Sequence, residues 1–152
     1  MSPVSNLLLK LSQKLWTTTS EQTAFVQALA NPQPYPSCIL WLKPRSPKIP
    51  FAVESPLSWQ PDFIDRLALG AAPGSHPLHE AGDYYCLDFS SVFAASVILA
   101  LPEPPQVVMD VCAAPGGKSL FSWRQFRPST LISNETIGKR VGMLIGNFKR
   151  CQ

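Results

Sequence analysis

No apolar run among the 152 residues approaches the roughly 18 that a membrane-spanning helix needs. The first residues, Met1-Ser2-Pro3-Val4-Ser5-Asn6, carry no basic stretch ahead of an apolar core, so a secretory leader is not expected. Cys-x-x-Cys is absent, and the four cysteines (Cys38, Cys86, Cys112, Cys151) are far apart. This spacing points to free thiols in a reducing cytoplasm rather than a disulfide framework or a zinc site. Histidine is scarce: His76 and His79 lie three apart with Pro77 between them and no third ligand, so no metal centre is expected. Neither Gly-x-Gly-x-x-Gly nor a complete phosphate loop occurs; only Gly117-Lys118-Ser119 matches the end of the latter. Basic charge is almost missing from the middle of the chain, where residues 54–110 hold Arg66 against eight acidic residues.

The remaining charge is segregated. Residues 1–53 carry net +4 and residues 111–152 net +6, within an overall +3. Such a basic tail either attracts phosphate backbones or forms a solvated helix face. A length of 152 residues suits about one domain, or two small ones sharing an interface, and a hydrophobic content of 45% is ordinary for a globular protein.

In chain order, residues 5–16 predict an amphipathic helix with Leu8, Leu11 and Leu15 on one face. Thr18-Thr19-Ser20-Glu21 fits a capping box that opens a second helix carrying Phe25, Val26 and Leu29, which stops at Asn31-Pro32. Residues 32–36 predict a rigid linker, Ser37–Lys43 a strand, and Phe51-Ala52-Val53 a second short one. Residues 62–69 predict a short helix between loops. Residues 83–87 predict a strand, and 91–101 a buried helix capped by Asp88 or Ser90.

From residue 106 the order is strand, glycine turn, helix, strand, helix, which predicts a βαβα unit with two buried parallel strands. Its centre is Asp110-Val111-Cys112-Ala113-Ala114-Pro115-Gly116-Gly117-Lys118. A glycine turn between a strand and a helix aims backbone N–H groups at whatever lies above the strand end. Glu135 follows Gly117 by 18 residues, at the end of the next strand, where an acid can bind both hydroxyls of a ribose. The pattern suits a nucleoside-containing cofactor; a purely structural turn fits it as well. The last helix places Ile137, Val141, Leu144, Ile145 and Phe148 on an apolar face and Lys139, Arg140, Lys149 and Arg150 on a polar one.

The loop Asp-x-Cys-Ala-Ala-Pro-Gly-Gly-Lys-Ser resembles the first motif of the RNA (cytosine-5) methyltransferases of the Nop/Sun type. Gly82-Asp83-Tyr84-Tyr85 through Asp88-Phe89-Ser90-Ser91 resembles the segment before that family's catalytic domain. Asn134-Glu135, Lys139-Arg140-Val141 and Asn147-Phe148-Lys149-Arg150 resemble its second-strand motif and helix. The likeness covers about residues 55–150.

The resemblance implies an α/β fold: an incomplete Rossmann-like class I methyltransferase domain, holding the first two parallel strands, at 105–152. A pre-catalytic segment would occupy 51–104; residues 1–50 carry no motif of the family, and their own pattern gives a small α+β N-terminal domain, a helical hairpin plus a strand. It implies S-adenosylmethionine as cofactor, cradled by Cys112, Ala113, Ala114, Pro115, Gly116, Gly117 and Lys118, with Glu135 on the ribose hydroxyls. Lys118 would lie near the methionine carboxylate or in solvent. Cys112 would belong to the binding loop without a covalent role. The implied partner is RNA, ribosomal or transfer.

In such enzymes a cysteine thiolate adds to carbon six of cytosine, carbon five takes the methyl group, and a base removes the proton. The target base leaves its stack to reach the site. The family's catalytic Pro-Cys and Thr-Cys motifs do not occur in this sequence. The chain is therefore expected to be the N-terminal part of such an enzyme, inactive alone. The alternatives are a non-catalytic RNA-binding fragment or a degenerate remnant.

Overall fold

The structure, a computed structural model, describes residues 4–32 and 35–151. The chain divides into two units, Met1–Tyr35 and Pro36–Gln152. Within the linker predicted at 32–36, Gln33 and Pro34 lie outside the described residues.

The first unit is the predicted helical hairpin. Helix α1 (Asn6–Leu15) is capped by Ser5, whose hydroxyl accepts from the Leu7 N–H. Helix α2 (Thr19–Ala30) opens with the full capping box: Thr18 Oγ1 accepts from Glu21 N, and Glu21 Oε2 accepts from Thr18 N, both at 3.3 Å. The predicted leucine stripe is not the buried one, because Leu11 and Leu15 are exposed. The buried positions are Ser12 and Val26. Ser12 is small and satisfies its hydroxyl on its own helix through the Leu9 carbonyl, so it can occupy the packed face.

The second unit is built around strand β1 (Ser37–Trp41), the middle of a three-stranded antiparallel sheet with β2 (Ile64–Arg66) and β3 (Tyr84–Asp88). Because side chains alternate along a strand, Cys38, Leu40 and the following Leu42 enter one core and Ile39 and Trp41 the other. Both faces of β1 are buried. The division at Tyr35 rather than residue 50 follows from this pairing, which makes β1 part of the second unit.

Residues 62–69 are not a helix. Phe63, Ile64 and Leu67 have helical spacing, yet β2 pairs with β1 in the register Cys38↔Arg66, Ile39↔Asp65, Leu40↔Ile64. Buried Asp65 accepts from Trp41 Nε1 at 2.6 Å and pairs with Arg45, so the sheet supplies partners a free helix would lack. Phe51–Val53 forms only an isolated bridge, Val53↔Leu67.

A 3-10 turn (Pro73–Ser75) and helix α3 (Pro77–Glu80) precede β3. Helix α4 (Phe89–Ser96) continues as a 3-10 turn over Val97–Ala100. It begins earlier than predicted, and neither Asp88 nor Ser90 caps it through a side chain. It is buried on one face only: Val92 and Ala95 enter the core while Phe93 and Val97 are exposed.

Strand β4 (Val107–Asp110), helix α5 (Gly117–Phe126), strand β5 (Thr130–Ser133) and helix α6 (Gly138–Arg150) form the predicted parallel unit. Its register pairs Val107 with Thr130 and Asp110 with Ser133. The strands are not buried on both faces, because Val107, Met109 and Ile132 are exposed. Helices α5 and α6 cover only the side of Leu131, where a groove is lined by Leu120, Trp123, Phe148 and Cys151. On α6, Leu144 is buried while Ile145 is exposed, as is Ile137, the residue just ahead of the helix.

Candidate cofactor-binding site

The loop between β4 and α5 is fixed by hydrogen bonds at nearly every residue. Asp110 Oδ1 accepts from the Cys112 N–H at 3.3 Å, and its Oδ2 accepts from the Ser119 hydroxyl at 2.7 Å. Ser133 Oγ donates to Ser119 Oγ at 3.1 Å. These side chains tie β4, α5 and β5 together, and Ser119 is fully buried between them. Backbone bonds from Ala113 N to the Asn134 carbonyl and from Asn134 N to the Asp110 carbonyl, both 2.8 Å, continue the ladder past the strand ends.

Helix α6 holds the other side of the loop. Arg140 Nη2 donates to the Ala114 carbonyl at 2.6 Å, and Asn147 Nδ2 donates to the Pro115 carbonyl at 2.8 Å. Gly116 sits at φ +117°, and a Cβ there would lie 3.1 Å from the Phe148 ring. A glycine is needed for both reasons. Gly117, the next residue, has its Cβ position 3.3 Å from the Tyr85 ring.

Above the loop lies a cavity of about 370 Å³. Its floor is Asp110, Cys112, Ala113, Ala114, Pro115, Gly117 and Lys118; its walls come from Tyr85–Asp88 of β3 and from Ser91 of α4. No side chain caps the first turn of α5, so the amides of that turn are free for a ligand. The volume falls within the range of small-molecule sites. The two acidic side chains and one lysine in its lining suit a ligand carrying both charges.

Six of the eight sequence-predicted residues thus line one cavity; Gly116 and Glu135 do not. Gly116 supports the loop from beneath, against α6. Glu135 Oε1 accepts from the Thr136 and Ile137 N–H groups at 2.9 and 3.0 Å. Its Oε2 lies 3.3 Å from Arg140 Nη1, making an ion pair but no hydrogen bond. The Ile137 amide above all, with help from Arg140 and Thr136 and against partial burial, lowers the Glu135 pKa below the usual carboxylate value. Oε2 is therefore a buried acceptor with lone pairs to spare, beside the loop.

The sequence reading missed the residues that hold or wall the cavity. Ser119 was visible only as the end of a Gly-Lys-Ser triplet, and Cys86, Asp88 and Ser91 only as part of a motif. Alternation along β3 would have singled out Tyr85 and Leu87 but not Cys86 or Asp88, because the end of the strand lines the cavity with both of its faces.

Three of the four thiols are unsuited to nucleophilic work. Burial pushes Cys38 up to about 12 and Cys86 up to about 11, and it raises Cys151 as well. Cys112 is exposed, and its backbone N–H rather than its sulfur is the group held by Asp110. Among the described residues no group of three metal-ligating side chains occurs. His76 Nδ1 instead accepts from the Leu78 N–H as the cap of α3. No helix among the described residues is long and apolar enough to cross a membrane.

The basic tail is partly engaged inward. Arg140 is held by Ala114 and Glu135, and Arg150 Nη1 donates to the His79 and Tyr84 carbonyls at 2.7 and 3.3 Å. Lys139 and Lys149 are exposed.

No family model matches the chain. Over 101 residues, 64% of its length, it is 34% identical to a protein of Shigella dysenteriae named ribosomal RNA small subunit methyltransferase F. It is 35% identical over the same span to the protein of that name from Escherichia coli K12. The chain spans about a fifth of the length of these curated relatives (21%). A solved structure, a methyltransferase homolog protein from Pyrococcus horikoshii, shares the fold with a TM-score of 0.68 at 20% identity. That match covers 97% of this chain and 53% of the other. The resemblance to RNA methyltransferases carried by the glycine loop is borne out by the names of these relatives.

Proposed function

We propose that this chain is the methyl-donor-binding part of an S-adenosylmethionine-dependent RNA (cytosine-5) methyltransferase with a Rossmann-like domain. The observation that carries the reading is the cavity above Asp110–Lys118, with free amides at the start of α5 and a floor locked by the Asp110–Ser119–Ser133 bonds.

The residues present fit the cofactor. The amides of Gly117 and Lys118 and the Lys118 ammonium would meet a carboxylate. The Asp88 carboxylate, at the cavity wall, would meet an ammonium or sulfonium charge. The unused lone pairs of Glu135 Oε2 would accept from a ribose hydroxyl. Bound there, the cofactor supplies an electrophilic methyl group; the protein's part is to orient it and to exclude water.

Attack on a cytosine at carbon six requires a thiolate. None of the four thiols in these 152 residues is offered as one: three have raised pKa values, and Cys112 forms the cavity floor. The reading is therefore that the chain by itself binds the donor without transferring the methyl group to RNA.

Titration calorimetry with S-adenosylmethionine tests the reading. The wild-type chain is expected to bind. Glu135→Gln is expected to bind roughly 10- to 100-fold more weakly, the value of a hydrogen bond to a charged group of about 1.5–3 kcal/mol. Equal binding by both would remove the ribose role of Glu135. No binding by the wild type would remove the cofactor reading.

A further inference from the structure

Basic residues from two distant stretches of the chain, 43–48 and 124–127, meet where β1 runs out. Arg124 Nε, at the last turn of α5, donates to the Trp41 carbonyl at 2.9 Å. Arg127, the residue that ends α5, reaches the Leu42 carbonyl through Nη2 at 3.5 Å. Lys43 and Arg45 follow immediately in the chain, and Lys48 lies in the same loop. Lys43 Nζ is 2.8 Å from Asp83, and Arg45 pairs with Asp65 at 2.5 Å, yet both cationic side chains remain nearly half exposed (45% and 48%). Arg124, Arg127 and Lys48 have no carboxylate partner among the described residues.

Two of these cations lie over aromatic rings. The Arg127 Cζ is 3.6 Å from the centre of the Trp123 ring, and that of Arg124 is 5.2 Å from the centre of Phe63. Each uses one N–H on a carbonyl at the end of β1 or just past it, Trp41 for Arg124 and Leu42 for Arg127. A guanidinium restrained by an aromatic ring and a carbonyl loses less freedom than a solvated one when it meets the paired oxygens of a phosphodiester. The negative end of the α5 dipole lies at the same place and offsets part of the mutual repulsion of the two arginines.

We propose that this patch of Lys43, Arg45, Lys48, Arg124 and Arg127 is the phosphate-binding surface for the RNA substrate. It rests on the RNA reading above and takes the place of the C-terminal helix as the main contact, because it joins two aromatic-backed guanidiniums to Lys43, the residue that follows their carbonyl partners. Helix α5 carries the cavity at its first turn and the patch at its last. Its ten residues span about 15 Å, so an RNA strand seated on the patch has a base within a few nucleotides of the cavity.

The test is the salt dependence of binding of a single-stranded RNA oligonucleotide to the full chain. Lys43→Gln with Arg127→Asn removes two exposed cations; asparagine is chosen because residue 127 sits at φ +49°, where it is tolerated. Each lost phosphate contact lowers the slope of log affinity against log salt by about 0.7, so the double variant should lose about 1.4. That slope change equals roughly 25-fold in affinity at 0.1 M salt.

The control, Lys139→Gln with Lys149→Gln on α6, should leave the slope near wild type. Matching thermal midpoints establish that both variants fold. If the wild type binds and the α6 pair, not the Lys43/Arg127 pair, lowers the slope, the patch assignment is overturned while the RNA reading stands. If polyglutamate competes with RNA at equal charge concentration, the surface serves an acidic protein and the proposal fails. If the wild type shows no salt-dependent RNA binding, the RNA reading itself fails.

Discussion

Gly82 is the point at which the turn before β3 touches the end of α6. It sits at φ +70°, and a Cβ built there overlaps the Arg150 carbonyl oxygen, with the carbonyl carbon at 2.8 Å and Cys151 Cα at 3.2 Å. All three are backbone atoms, so no side-chain rotation relieves the overlap. Gly70 provides the reference: it sits at φ +87° with nothing within 4 Å of its Cβ position. For Gly70→Ala the left-handed backbone costs about 1–2 kcal/mol, and the stiffer unfolded chain returns about 0.4–1. For Gly82→Ala the same terms apply, and displacing the α6 terminus adds about 1–3 kcal/mol, as overpacking does. The difference between the two variants should therefore be about 1–3 kcal/mol. With a urea slope of about 2 kcal/mol/M, that separates their unfolding midpoints by roughly 0.5–1.5 M. Urea titrations followed by tryptophan fluorescence measure it. Midpoints for the two variants within about 0.2 M of each other would refute the close approach of Arg150 to the turn.

Ser119→Ala should destabilise by about 1–2 kcal/mol, because the half-buried Asp110 Oδ2 loses its donor and Ser133 its acceptor; urea unfolding reads this, and a neutral result would mean the hydroxyl chain does not hold the loop. Stability should also fall as pH drops below about 6.5. Burial first, then the Arg150 charge, lowers the His79 pKa, so the unfolded chain takes up the proton more readily than the folded one. His79→Gln should remove that first decline. A second decline, beginning as pH passes below about 4.5, follows from the lowered Glu135 pKa and should persist in the His79 variant. Urea midpoints at half-unit pH steps separate the two.

Local chemistry made several elements legible from sequence alone. The Thr18–Glu21 box, the strand at Ser37 and the glycine turn each depend on residues within about one turn or one strand of each other, and the parallel pair follows from the strand–helix–strand order. What escaped was decided by distant partners. Residues 62–69 carry helical spacing, and only pairing with β1 and the buried Asp65–Trp41 bond make Ile64–Arg66 a strand. The apolar run of α4 gave no hint that Phe93 and Val97 face outward, because hydrophobicity marks a candidate for burial without naming a cover. Charge runs were misleading for the same reason. Arg140 and Arg150 look like solvent residues in a basic tail, yet both turn inward to carbonyls; Arg124 and Arg127, unremarkable in sequence, reach the Trp41 and Leu42 carbonyls just ahead of Lys43. At the site, the loop residues were readable and their supports were not, since Ser119 matters through Asp110 and Ser133, on separate strands.

The two-sided burial of β1 also sets an order of events on the ribosome. Its antiparallel partners are both made by residue 88, so the sheet can pair early. The side of Cys38 and Leu40 is completed by Leu120, Phe121 and finally Cys151. At about 5–20 residues per second, the 63 residues between Asp88 and Cys151 take some 3–13 s to appear. For that interval a greasy sheet face stands open on the nascent chain, and a chaperone that shields it should raise the yield of folded protein more than one that acts after release.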